Sequence, residues 1–185
     1  EGAKVAVFTF GRFNPPTTGH ELLINKVKEI AAGNDYYVFP SHTQDNKGKN
    51  PLNSKDKVGF MKEMFPTHKD TIVYDLSIKD AIKALAWLEK QGYTDAIFVV
   101  GSDRVPAFQF LKKYNGKDFN MNTLEIKSAG QRDPDAEGVA GMSASKMRQA
   151  VKDMDIKTFA SGIPQHLSRN KDFKSRLFAA VRDNL

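Results

Sequence analysis

The chain reads as an α/β fold: a doubly wound parallel sheet of about five strands, helices on both faces, and a helical appendage at the C-terminal end. Three observations predict it. Short apolar runs alternate along the sequence with longer segments of helical period. The runs at residues 5–10 and 96–100 are almost wholly apolar, as buried strands of a parallel sheet are. Each runs straight into a glycine, Gly11 and Gly101, where the chain turns toward the next helix.

Each element has its own signal. Residues 5–10 form the first strand and residues 21–32 the first helix. A second strand spans residues 36–40, and a polar loop rich in Asn, Lys and Gly fills residues 41–53. Ser54 suits the cap of a helix that Pro66 stops. Residues 71–74 read as a short third strand. Ser77 suits the cap of a helix to about Gln91, with Ile78, Ile82, Leu85 and Leu88 on one face and Gly92 at its end. Residues 96–100 give the fourth strand, residues 105–113 a helix, and residues 122–126 the last strand. A loop at 128–141 leads to Ser143, which caps a further helix. Residues 155–185 read as helical in two pieces, split at Gly162-Ile163-Pro164. Phe173, Leu177, Val181 and Leu185 recur there as a stripe that docks on the body. The organisation expected is one domain over residues 1–154, with residues 155–185 packed on it.

Composition narrows the function. The 185 residues suffice for a real core, and 13 of them are Phe. The absence of Cys removes disulfide scaffolds, thiolate zinc sites and cysteine nucleophiles. No apolar run is long enough to span a membrane, which fits a cytoplasmic enzyme. The net charge of +6 favours anionic ligands. Basic residues are scattered among acidic ones, which argues for a nucleoside triphosphate over nucleic acid as partner. A homo-oligomer is compatible with the sequence.

The stretch from Gly11 to His20, GRFNPPTTGH, is the most informative. It joins a buried strand to a helix start through a Gly/Pro-rich turn, so backbone N–H groups and a helix dipole face an anion. Thr17, Thr18 and His20 add hydroxyls and an imidazole at that point, as transfer of a phosphoryl group requires. A tight capped turn alone would explain the Pro and Thr residues, but not Gly19-His20 together at a helix start. Right-handed crossovers put this turn and the one after Val100 at the carboxyl edge of the sheet. No Walker-type phosphate loop, nucleophile elbow or zinc motif competes.

These residues resemble the first signature of the nucleotidylyltransferase superfamily, G-x-F-x-P-x-[HT]-x-G-H, with Gly11, Phe13, Pro15, Thr17, Gly19 and His20 in register. Met142-Ser143-Ala144-Ser145-Lys146-Met147-Arg148 resembles the second, I-S-x-T-x-[IM]-R. The resemblance covers roughly residues 4–150 and implies a Rossmann-like sheet. It implies that Thr17 and His20 donate to the triphosphate, that Arg148 grips its β- and γ-phosphates, and that Lys49 reaches the α-phosphate. Lys49 is preferred to Lys47 because Lys49-Asn50-Pro51 resembles a string in archaeal-type nicotinamide mononucleotide adenylyltransferases. Phe10, Gly11, Arg12, Phe13, Asn14, Gly19, Ser143 and Ser145 are expected to line the nucleotide, with Arg132 reaching in from the loop at 128–141. Gly101 and Asp103 match a family G-x-D near the ribose or acceptor, while a turn with Asp as cap explains them equally well. Mg²⁺ is expected as cofactor, held by the nucleotide and water rather than by protein ligands. The activity implied is transfer of a nucleoside monophosphate, most simply AMP from ATP, to a phosphorylated small-molecule acceptor such as nicotinamide mononucleotide, with pyrophosphate leaving. Cytidylyl transfer, a pantetheine-phosphate acceptor (Thr17 occurs in that branch) and a non-catalytic nucleotide-binding protein are the alternatives.

Overall fold

The computed structural model describes residues 2–45, 47–130 and 142–185. Four parallel strands, β1 (Val5–Gly11), β2 (Asp35–Pro40), β3 (Asp95–Val100) and β4 (Thr123–Ser128), lie in the order β2-β1-β3-β4. The order reverses at β1, so the carboxyl ends of β1 and β3 flank a crevice. The helices are α1 (Thr18–Ala31), α2 (Ser54–Met64), α3 (Ala81–Lys90), α4 (Ala144–Lys152), α5 (Ile156–Ser161) and α6 (Lys171–Arg182).

Both faces of the sheet are covered because successive side chains point to opposite sides. Ala6, Phe8, Ala96 and Phe98 pack with Ala84, Leu85 and Leu88 of α3. The rings of Phe8 and Phe98 stack with centroids 4.7 Å apart. Val7 and Val99 meet Val27 and Ala31 of α1 on the other face. A further cluster joins α2, α4 and α6 to Phe13 and Ile24. Phe173, Leu177 and Val181 are fully buried in it, so the predicted stripe docks.

The sheet has four strands rather than five. Residues 71–74 add a single bridge, Ile72 beside Val38, with Val38 N–H donating to Thr71 O (2.9 Å) and Val73 N–H to Val38 O (2.9 Å). The chain then turns away because Asp75 Oδ1 accepts from Ser77 N–H (2.9 Å) and Ser77 Oγ (2.6 Å). That turn occupies Ser77, and α3 starts later, capped by Asp80, which accepts from Lys83 N–H at 2.8 Å. Asn53, not Ser54, caps α2. Residues Pro106–Tyr114 are a 3₁₀ helix where an α-helix is predicted.

Candidate functional site

A cleft of about 1000 Å³ opens at the carboxyl edge of β1, β3 and β4. Phe10, Gly11, Arg12, Phe13, Gly19 and His20 line one wall. Gly101 and Asp103 line another, and a Cβ on Gly101 would come within 3.0 Å of the Asp103 carboxylate.

The turn after β1 is held in an unusual shape. Phe13 has a φ of 47°, in the left-handed region that costs an L-residue roughly 1–2 kcal/mol. Packing compensates: the Phe13 ring is buried and sits edge-on to the His20 ring at 4.9 Å. Asn14 is wholly buried and clamps the loop after β2, accepting from Leu52 N–H (2.8 Å) and donating to Leu52 O (3.2 Å). Asn14 thus organises the turn and is not among the residues that line the cleft.

Thr17 caps α1. Its Oγ1 accepts from Gly19 N–H (3.1 Å) and donates to Met142 O (3.0 Å), and the side chain has no exposure. The hydroxyl proton expected to meet a phosphate is thus committed to the backbone just before α4. Gly19 lies against the same carbonyl, which would stand 2.4 Å from a Cβ there. Only glycine fits, which explains the Gly-His pair. Thr17 N–H donates to His20 Nδ1 at 3.0 Å. With Nδ1 an acceptor, the ring proton sits on Nε2, so His20 enters the cleft lining as a donor.

The second signature comes to the same turn. Ser143 caps α4, accepting from Lys146 N–H at 3.1 Å. Arg148 Nη1 donates to Asn14 O at 2.8 Å, and Nη2 to Ser145 Oγ at 3.3 Å. Burial, and then the nearby Arg12 guanidinium, lower the Arg148 pKa from its ordinary value. Two cations held toward one another beside a helix N-terminus make a place for an anion. His20 and Arg148 are therefore anchored to one ten-residue signature, although 128 positions separate them (148 − 20).

Lys49 is exposed and is not among the residues that line the cleft. Ser143, Ser145 and Arg148 are outside the cleft lining and join it through Asn14 and Arg12. Arg132 lies outside the described residues. Among the described residues no three His, Cys, Asp or Glu side chains are grouped to hold a metal ion. No described helix is long and apolar enough to cross a membrane.

Sequence reasoning missed Asp80, Leu22, Arg104, Phe108 and Phe110, which also line the cleft. The aromatic ones carry a signal in retrospect. Phe108 and Phe110 follow Pro106 closely in sequence, and Arg104 lies over the Phe108 ring at 5.4 Å.

Comparison with known proteins agrees with the fold. The family model described as Cytidylyltransferase-like matches residues 8–160. A curated relative, "Probable nicotinate-nucleotide adenylyltransferase" of Thermosipho melanesiensis, is 28% identical over 109 residues, covering 56% of this chain and 54% of that protein. The chain thus matches across about half the length of that relative. Among solved structures, Plasmodium falciparum nicotinic acid mononucleotide adenylyltransferase complexed with NaAD has a TM-score of 0.59 at 16% identity, over 95% of this chain and 97% of that one. Thermotoga maritima TmcAL bound with alpha-thio ATP has a TM-score of 0.57 at 13% identity, over 92% of this chain and 55% of that one. At these identities the structural likeness is one of fold.

Proposed function

The chain belongs to the cytidylyltransferase-like family, and from that premise we propose that it transfers AMP from ATP to the phosphate of a pyridine mononucleotide, nicotinate or nicotinamide, releasing pyrophosphate. The observation that carries this reading is the convergence of both signatures on the turn after β1. The name of the Thermosipho relative supports the adenylyl donor and the pyridine acceptor.

The acceptor's phosphate oxygen attacks the α-phosphorus in line, and the bond from that phosphorus to the pyrophosphate oxygen breaks. No covalent intermediate with the enzyme forms. Negative charge gathers on the phosphoryl oxygens and the leaving group, so preplaced donors gain most in the transition state. His20 Nε2–H donates to a phosphoryl oxygen. Arg12 and Arg148 take up charge on the departing pyrophosphate. Thr17 holds the helix start and the second signature together rather than touching substrate. Mg²⁺, carried by the triphosphate and water, supplies further charge neutralisation when bound. Asp103 accepts from a sugar hydroxyl, and Phe108 and Phe110 give the acceptor an apolar wall.

Pyrophosphate release is the test. Purified protein with Mg²⁺ and either ATP or CTP is offered nicotinate mononucleotide, nicotinamide mononucleotide and pantetheine phosphate. ATP-dependent release with a pyridine mononucleotide is expected. Release only with CTP, or only with pantetheine phosphate, moves the chain to another branch; no release with any pair rejects the activity.

A further inference from the structure

Among the described residues, Lys57 of α2 is the only Lys, Arg, Asp or Glu that is buried, and it has no exposure at all. It has no carboxylate partner among them. Its Nζ donates to Ser41 O at 2.7 Å and lies 3.3 Å from Ser41 Oγ. Burying an ammonium without a counter-charge is costly, and burial lowers this pKa to about 8. A neutral side chain could serve a lone carbonyl at less cost.

What Ser41 does next gives the lysine a purpose. Ser41 N–H donates to Gly11 O at 2.8 Å, extending the β1–β2 ladder by one bond. Gly11 opens the phosphate-facing turn and lines the cleft. The loop from Ser41 returns to that turn at Leu52, clamped by Asn14, immediately before α2 begins. A pairing of Ser41 Oγ and Lys57 Nζ for nucleophilic catalysis is excluded, because Ser41 is buried and lines no cleft described above.

We propose that Lys57 is a positioning residue: through Ser41 it sets where Gly11, Arg12 and Phe13 stand at the nucleotide cleft. The ammonium makes a charge-assisted bond to Ser41 O, and loss of its proton weakens that bond to a neutral one. The effect on turnover rests on the adenylyl-transfer reading; the effect on the turn does not. No charged group of α2, of the loop after β2 or of the turn contributes to the lowered pKa. His42, the titratable side chain next to Ser41, faces Asp75 O through Nε2 at 2.6 Å, and Asp56, beside Lys57, is engaged by Asn53 at 2.8 Å.

The test uses the full chain as wild type, Lys57→Met, Lys57→Arg and a His42→Gln control. Amide resonances of Gly11 and Arg12 are followed from about pH 6 to about pH 10. In the wild type and in His42→Gln they are expected to titrate with a midpoint near 8. In Lys57→Arg, which stays charged, the titration is absent and the turn keeps its neutral-pH shifts. Lys57→Met displaces both resonances and lowers kcat by about tenfold to 10²-fold at a nearly constant KM for ATP, which Lys57→Arg partly restores. Unmoved resonances in a folded Lys57→Met protein, or a titration that survives in Lys57→Arg, overturn the proposal. Should Lys57→Met fail to fold, the wild-type and Lys57→Arg titrations decide alone. The expected titration without pyrophosphate release from any acceptor rejects the proposed activity and leaves the positioning role standing.

Discussion

The role proposed for His20 rests on a neighbour's backbone. Because Thr17 N–H occupies Nδ1, the Nε2 proton is fixed before any ligand arrives, and no reorientation is needed as charge develops. Replacing His20 by Ala is expected to lower turnover by about 10²-fold or more, with the far-ultraviolet spectrum unchanged. Thr17 behaves differently. Thr17→Val removes a helix cap and the bond to Met142 O, and is expected to cost about 1–2 kcal/mol in denaturant unfolding, while Thr17→Ser keeps both. If Thr17→Val were instead to lose turnover at full stability, the hydroxyl would have to meet substrate. This distinction was not legible in the sequence. The motif names the residues that meet, but the hydroxyl's partner is 125 positions away. Lys49 is a parallel case: its string matches a familiar one, yet its side chain is exposed and outside the cleft lining.

At the scale of elements, the two central strands were the most legible. Residues 5–10 and 96–100 are too apolar to be anything but interior, and β1 and β3 form there. Boundaries set by competing side-chain bonds were not. Ser77 and Asp80 are both good caps, and only the local bonding of Asp75 decides between them. Residues 71–74 are apolar enough for a strand, but a single bridge to Val38 is all the turn that follows allows. The stripe on α6 was legible because its four-residue spacing has one plausible use, and its burial gives it weight. Leu177→Ala is expected to cost about 2–5 kcal/mol, read as a shift of the denaturation midpoint. A cost below about 1 kcal/mol would mean that α6 is peripheral.

Across the whole molecule, His68 ties three elements. Its Nε2 donates to Asn25 Oδ1 of α1 (2.6 Å), and Tyr36 of β2 donates to its Nδ1 (2.7 Å), from the turn that follows α2. Burial, and then Lys28, lower its pKa below the ordinary 6.5. The unfolded chain therefore binds the proton more readily, and stability falls as the pH drops below about 6.5 toward the folded value. A melting temperature that declines over that window in the wild type, and less steeply in His68→Gln, is the expected result. A second tie reaches the ligand edge from the chain's last third. The first amide of α1, on Thr18, donates to Gly162 O at 3.0 Å, and a Cβ on Gly162 would fall 2.2 Å from Met147 Sδ. The stretch matched by the family model stops at residue 160, two short of that carbonyl. A fragment that ended where the family match ends would lose the carbonyl that receives the first amide of α1, so the start of that helix draws on residues beyond the recognisable family core.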